Sequence, residues 1–490
     1  MSTNTDNALS LTPTQYAAAD LPVGIVHIGL GAFVRAHMAV YLEKLLNAGE
    51  ASYGLCAANI RSNAQIVDQL NEQQQQYTVA EHGANGAIFL RQISSVREVL
   101  YAGAGHVNVL LERLKDPAIK IVSLTVTEKG YFFDASRGQL KLDSADIQHD
   151  ITNPKIPKTA IGILVAGLRY CYENNQVPFT VMSCDNMPHN GQSTRSAVVQ
   201  LAEMQDPQLA HWINNAVAFP STMVDRIVPA TTEETVLKVN SLLVKAKASW
   251  CVPRDNAPVA CESFSQWVIE DSFTKGRPDF AKVGAEFVAD VAPWEEMKLR
   301  MLNGSHSLIA YLGCLLGYKT VADCMADEAL VTLIKMFMLN EAAPTLNMPD
   351  GVDLKAYAQA LLERFANVSL QHQTRQIAMD GSQKIPQRWL QGARVNLKAG
   401  KYPKITALGL AAWIVYLQNS QGCFGYTVDD PLAAEIVPLA LAANSKAGVI
   451  AFLQQPALAQ FDLAAFPEFI EGILQSVIHL QEDARALLVG

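Results

Sequence analysis

Charged residues are scarce in this chain. They make up 17% of its 490 residues, against about a quarter in an average soluble protein. Positive charge is scarcer still: the formal net charge is -9. A general polyanion binder carries a basic surface, so nucleic acid is excluded as the expected partner, and an anionic membrane surface gains no overall attraction. The eight cysteines, Cys56, Cys171, Cys184, Cys251, Cys261, Cys314, Cys324 and Cys423, include no C-x2-C pair and no Cys/His cluster at zinc-ligand spacing. Free thiols in a reducing compartment and no metal are expected. Long apolar runs are also missing. The longest, TALGLAAWIVYL (Thr406 to Leu417), falls short of the ~20 residues that span a bilayer and reads as a buried helix. The opening MSTNTDNALS has neither the basic start nor the apolar stretch of a secretory signal, so a cytoplasmic location is expected.

What is present is core-forming residue in quantity. Half the residues are hydrophobic, and the length calls for two or three domains. The first twenty residues are polar and read as a loose arm. Next, GIVHIGLGAF (Gly24 to Phe33) runs from an apolar strand into a glycine-rich turn. VRAHMAVYLEKLL follows at helical spacing, then a second strand, YGLCAAN (Tyr53 to Asn59). This is the strand–turn–helix–strand order of a nucleotide-binding βαβ half. IKIVSLTVTEKGY (Ile119 to Tyr131) and PFTVMSCDN (Pro178 to Asn186) read as buried parallel strands with polar C-terminal ends, where open α/β sheets bind ligands. VAFPSTMVDRIVP (Val217 to Pro229) fits either a strand or an extended loop. From about Pro293 helical patterns dominate, with loops near Asn347 to Gly351, Asp380 to Pro386 and Ser420 to Pro431. The expected fold is α/β: an N-terminal Rossmann-type domain over residues 1–290, a mainly α-helical C-terminal domain over 291–490, and the site between them.

The chemistry-bearing residues gather at a few points. Gly29 and Gly31 form G-x-G directly after a strand. The first permits the tight turn, and the second lets a pyrophosphate approach the backbone at a helix N-terminus. Val34 stands where a third glycine is usual. Arg35 sits in the first helical turn, where a cation opposes the helix dipole. A bound phosphate relieves that conflict, a reading preferred to a solvated side chain. The second strand ends without the acid that commonly holds the ribose 2′-hydroxyl. Arg61 follows it and can meet a 2′-phosphate, stack on adenine or do neither. In MKLRMLNGSHS (Met297 to Ser307), Lys298, Asn303 and His306 fall within about 140° of arc on an α-helix at ~100° per residue. Lys298 is a candidate base for alcohol oxidation once desolvated, Asn303 a donor to a developing alkoxide, and His306 a hydroxyl-orienting group. The alternative is a solvated polar face. Asp185 and Asn186 close a strand end, as an Asx-turn or as substrate contacts, with Asn186 a second amide donor. Asp225 and Arg226 read equally as a buried ion pair or as ligand contacts. In DGSQKIPQR (Asp380 to Arg388), read as a polar loop, Lys384 or Arg388 can bind a carboxylate.

Taken together these segments resemble the polyol-specific long-chain dehydrogenases, the mannitol dehydrogenase family, which includes mannitol 2-dehydrogenases and fructuronate and tagaturonate reductases. The resemblance runs through nearly the whole chain: the turn Gly29 to His37, TVTEKGY, SCDN, FPSTMVDRIVP and KLRMLNGSHS occur in order and spacing. It implies a metal-free oxidoreductase using NAD, with Lys298 as general acid/base, Asn186 and Asn303 binding the reacting oxygen, and His306 positioning substrate. It further implies Asp225 near substrate and Glu295 assisting proton exchange with water. The cofactor is expected on Gly29, Gly31, Ala32, Phe33, Arg35, Arg61, Thr127 and Glu128. MSCDNMPHNG, CESFSQWVIEDSF and QIAMDGSQKIPQR look most like the branch of the family that reduces fructuronate to mannonate. A uronate needs a cation for its carboxylate, for which Lys384 and Arg375 are the candidates, with Arg388 beside them. A dehydrogenase for a neutral polyol such as mannitol or arabinitol is the rival, and an inactive nucleotide-binding sensor the rival of another class. The expected partner is a small sugar acid or polyol, and the chain a monomer or small homo-oligomer.

Overall fold

A twisted sheet of five parallel strands forms the centre of the N-terminal half of the computed structural model. The model describes residues 9–83, 86–103, 105–134, 137–251, 253–368, 372–419 and 427–485. The strands are β1 (Val23–Ile28), β2 (Gly54–Asn59), β3 (Val96–Tyr101), β4 (Ile121–Leu124) and β5 (Thr180–Ser183), in the spatial order β5-β4-β1-β2-β3. Ile25 lies opposite Leu55 on one side and Ile121 on the other; Val26 lies opposite Cys56 and Val122. Alternate residues of these strands feed two separate cores. Ile25, Leu55 and Ala57 enter one; Val26, Ile28, Cys56 and Ala58 enter the other. A parallel strand covered on both faces needs a continuous apolar run rather than an alternating one, which is what GIVHI supplies. Chain order reverses on either side of β1, so a crevice opens between the C-terminal ends of β1 and β4, the position where such sheets bind ligands.

Three further sheets belong to the same unit, Met1–Ala292, one of them only the short pair Phe133–Asp134 and Gln139–Leu140; the other two are larger. In one, the strands Leu9–Thr12, Ile88–Ile93, Tyr77–His82 and Val259–Glu262 are neighbours in that order. The loose arm expected before Asp20 is therefore partly a strand, paired in parallel with Ile88–Ile93. Glu43, a buried acid, fixes the residues just after Thr12. Its carboxylate accepts from the Thr14 hydroxyl, the Tyr16 hydroxyl and the amides of Ser94 and Ser95, all distant in sequence. In the other sheet, Thr222–Asp225 runs antiparallel to Gln266–Glu270, which makes the VAFPSTMVDRIVP segment a strand.

The second unit, Pro293–Gly490, is helical. Every residue from Ile405 to Leu417 of the helix Lys404–Gln418 is buried, as its apolar sequence requires, and it packs on the helices Gly304–Leu316 and Pro467–Asp483. Its N-terminal amides are capped by Glu341, which accepts from Ile405 N, Thr406 N and Thr406 Oγ1 at 2.6–2.8 Å. The segment Asp380 to Arg388 is not a loop: Gly381–Ile385 is helical and Pro386–Leu390 continues as a π-helix. The start is set by Asp430, which accepts from both the amide and the hydroxyl of Ser382. No helix among the described residues is long and apolar enough to cross a membrane. The described cysteines are all free, six of them buried and Cys251 half-buried; Cys423 lies outside the described residues.

Candidate active-site residues

The glycine-rich turn is built by its neighbours. Gly29 has φ +116°, and a Cβ there would stand 2.1 Å from the Thr125 carbonyl oxygen. The turn needs glycine for backbone conformation and for close approach to the end of β4. Its amide donates to the Ala58 carbonyl at 2.8 Å. Gly31 differs. A Cβ there would meet nothing nearer than the Gly29 oxygen at 4.0 Å. No protein atom demands glycine at this position, and the space lies at the start of the helix Ala32–Ala36, which no side chain caps. Arg35 departs from both readings of it. It is 4% exposed, its Nε donates to the Gly31 carbonyl at 3.2 Å, and its NH1 donates to the Ala257 carbonyl at 2.7 Å. Its reach is inward, bracing the turn from behind.

On the other side of the crevice, Thr127 and Glu128 are exposed at the end of β4. Thr127 holds φ +63°, a costly conformation for a β-branched residue. Asp185 stabilises it, with one carboxylate oxygen accepting from Thr127 N and the other from Val126 N, both at 2.9 Å, and Tyr131 OH donating at 2.6 Å. Burial pushes the Asp185 carboxyl upward. This residue is thus an anchor for the β4 loop, while Asn186 beside it is exposed. Asn190, which the sequence does not single out, ties β5 to the next strand: its Nδ2 donates to the Asp185 and Thr222 carbonyls and its Oδ1 accepts from Thr222 N. His27 is a second such residue. It bridges Ser123 Oγ and Thr125 Oγ1 at 2.8 Å each, and Thr125 donates on to the Gly29 carbonyl. Its position inside an apolar strand is the available signal. Asp225 is buried at the end of its strand. Arg226 is buried as well and forms its ion pair with Glu81 at 2.8 Å, with further bonds to the Ala36 and Glu262 carbonyls.

In the second unit, Lys298 does not stand on an ordinary α-helix. Residues Lys298–Asn303 form a π-helix between the α-helices Ala292–Met297 and Gly304–Leu316. With i→i+5 bonding, Asn303 comes one full turn after Lys298, so the two share a face more closely than the α-helical 140° implied. Two other π stretches, Phe337–Ala342 and Pro386–Leu390, pack against it. Single π turns of this kind occur often at functional sites. Lys298 and His306 are buried and Asn303 half-buried. His306 lies against Phe365, ring centroids 4.6 Å apart, and edge-on to His372.

His306 is held neutral, well below the usual histidine range, first by burial, then by the neighbouring His372 ring and the cations Arg388, Arg364 and Lys298. Its Nε2 is buried and meets no hydrogen-bond partner among the described residues. Arg388 donates from NH1 to the Asn303 carbonyl at 3.3 Å and to Ser307 Oγ at 2.8 Å, and burial lowers it to about 10. Lys384, expected as a loop cation, is on a helix. Its Nζ donates to the Met379 carbonyl at 2.6 Å and the Ile377 carbonyl at 3.3 Å and lies 3.8 Å from Asp380 Oδ2. Burial, then the neighbouring Arg388, depresses its pKa. Arg375 is exposed on the helix Thr374–Ala378. Glu295 is half-buried in the turn before Lys298. Among the described residues no group of three or more His, Cys, Asp or Glu side chains is arranged to hold a metal ion.

A parallel sheet reversing at a glycine turn, joined in one chain to a helical unit bearing a buried lysine and an unsatisfied histidine, marks an oxidoreductase of the Rossmann class. The chain belongs to the mannitol dehydrogenase family: residues 23–282 match the mannitol dehydrogenase Rossmann domain and residues 290–481 the mannitol dehydrogenase C-terminal domain. It is 48% identical to the D-mannonate oxidoreductase of Escherichia coli, over 89% of this chain and 88% of that one. It is 36% identical to the mannitol 2-dehydrogenase of Aspergillus oryzae, over 96% and 93% of the two chains. Among solved structures it resembles the Pseudomonas fluorescens mannitol 2-dehydrogenase in ternary complex with NAD and D-mannitol, at TM-score 0.81 and 35% identity, covering 98% of this chain and 96% of that one.

Proposed function

We propose that this protein is an NAD(H)-dependent, zinc-independent dehydrogenase that interconverts D-fructuronate and D-mannonate. The observation that carries the choice of an acidic sugar is the charge around His306: Lys298, Arg364 and Arg388 all bear on it. An anionic substrate is attracted by cationic side chains of this kind more strongly than a neutral polyol is. The similarity to a D-mannonate oxidoreductase supports the same choice. Lys384, which lies within the field of Arg388, and Arg375 are the proposed partners of the carboxylate.

The proposed cofactor residues fit a dinucleotide. The open space at Gly31 and the uncapped helix start at Ala32 and Phe33 leave backbone N–H groups and room for a pyrophosphate, with Thr127 and Glu128 exposed across the crevice. Arg35 serves this site by holding the Gly31 carbonyl. When bound, the nicotinamide supplies hydride exchange with the carbinol carbon. The chain's own residues handle the oxygen and its proton. Lys298 gives a proton to the ketone oxygen during reduction and removes it during oxidation, a role worth ~10²–10⁴-fold. Asn186 and Asn303 donate hydrogen bonds to that oxygen as it gains charge. Neutral His306, with one N–H and one lone pair, orients a substrate hydroxyl through its unsatisfied Nε2. Asp225 binds substrate, and Glu295 passes the proton from Lys298 to water. The intact Lys/Asn/His set argues against an inactive sensor.

The test is a steady-state comparison of D-fructuronate, D-tagaturonate, D-fructose and D-xylulose with NADH and NADPH, before and after exhaustive chelation. The highest kcat/KM is expected for fructuronate with NADH, unchanged by chelation. Equal efficiency with fructose contradicts the acidic substrate, and loss on chelation restored by zinc contradicts the mechanism.

A further inference from the structure

The second strand of a dinucleotide-binding unit commonly ends in an acid that takes the ribose 2′-hydroxyl. Here β2 ends at Asn59, whose side chain is occupied within the turn. Its Oδ1 accepts from Leu30 N at 2.8 Å and its Nδ2 donates to the Asn63 carbonyl at 3.2 Å. Two residues on stands Arg61, a cation at the place where a 2′-phosphate would lie. Taken alone, Arg61 argues for NADP.

Arg61 is not alone. Its NH2 lies 2.5 Å from Oδ2 of Asp146, in the first turn of the helix Ala145–Thr152. Its guanidinium carbon is 5.2 Å from the centroid of the Phe132 ring, and its carbonyl accepts from Tyr101 OH at 3.2 Å. Phe132 follows β4 and Arg61 follows β2, the strands on either side of β1. The arginine therefore lies among the sheet's C-terminal ends, where the adenosine half of a dinucleotide belongs. The acid missing from β2 is delivered from a helix 85 residues further along the chain.

We infer that Asp146 sets the preference for NAD over NADP. Its carboxylate satisfies Arg61 and places a negative charge beside the site of a 2′-phosphate. A dianionic phosphate then meets a neutralised pair instead of a lone cation, while a ribose hydroxyl meets an acceptor. The helix start is a favourable place for this carboxylate. As an element of stability the pair matters little, since both side chains are half-exposed and solvent screens such surface pairs. This inference rests on the dinucleotide reading above.

The experiment is a fluorescence or calorimetric titration of the full-length protein with NADH and with NADPH, for wild type, Asp146→Asn, Arg61→Ala and the double variant. Asp146→Asn should lower the ratio Kd(NADPH)/Kd(NADH) about tenfold, about 1.4 kcal/mol. The double variant should lose that gain, because Arg61 is then absent to receive the phosphate. An unchanged ratio in Asp146→Asn, or weaker NADPH binding, overturns the inference while leaving the cofactor reading intact. Wild type that binds neither dinucleotide overturns both.

Discussion

Asp185 holds the amides of Val126 and Thr127 on its two carboxylate oxygens, each at 2.9 Å. It thereby fixes a left-handed threonine at the mouth of the proposed cofactor crevice. Asp185→Asn replaces one acceptor with an NH2 group and leaves a backbone donor unsatisfied, at a cost of about 1–3 kcal/mol. A lower melting temperature and weaker NADH binding are expected together. A melt and a titration that both match wild type would show that the loop holds itself.

Gly29 and Gly31 separate folding from binding. Gly29→Ala drives a Cβ toward the Thr125 carbonyl from a φ of +116° and should destabilise strongly, by more than the ~1 kcal/mol typical of point changes. Gly31→Val faces open space at φ −92°. Its melting temperature should stay near wild type while NADH affinity falls about tenfold or more, about 1.4 kcal/mol. Unaltered NADH affinity in Gly31→Val would remove the pyrophosphate from this turn.

The parts of this fold that the sequence made legible are those stabilised by near neighbours. The run GIVHI, the G-x-G after it and the helix around Trp413 declare themselves through unbroken apolar stretches and a turn residue. The parts it concealed depend on distant residues. Leu9–Thr12 is a strand because of its partner Ile88–Ile93 and the Glu43 anchor beyond it. Gly381–Ile385 is helical because Asp430 caps it. The π turn at Lys298 leaves no trace in periodicity, since its polar and apolar residues satisfy an α-helical template equally well. The candidate site residues follow the same rule. Lys298, Asn303 and His306 were visible as a local cluster, whereas the Arg61–Asp146 pair and the inward reach of Arg35 required contacts across 85 and 222 positions.

His27 predicts an acid limb in stability. Burial lowers its pKa from the ordinary 6.5 to about 3, so below pH 6.5 the unfolded chain takes up a proton that the folded chain refuses. Its contribution to stability is complete above pH 6.5 and is lost as the pH falls from there toward 3, at about 1.4 kcal/mol per pH unit. His27→Gln should be less stable than wild type at pH 8 yet show a shallower loss between pH 6 and 4 in denaturant titrations. Parallel slopes would contradict a neutral His27.

Lys384→Met tests the anionic substrate. Removing one charge from the cluster should lower kcat/KM for fructuronate by about one to two powers of ten, the equivalent of a charge-assisted contact of roughly 1.5–3 kcal/mol. Fructose, with a hydroxymethyl group in place of the carboxylate, should change much less. Equal losses on the two substrates would assign Lys384 to its carbonyl contacts with Met379 and Ile377 alone, and Arg375 and Arg388 would be the next variants.

The central claim is that Lys298 moves the proton at the reacting oxygen, and the most direct measurement is kcat/KM beside NADH affinity in Lys298→Ala. The variant should lose at least ~10²-fold in kcat/KM, as expected on removing a general acid/base, with the NADH dissociation constant within about twofold of wild type, a change of under about 0.5 kcal/mol. Turnover near the wild-type value would contradict the account.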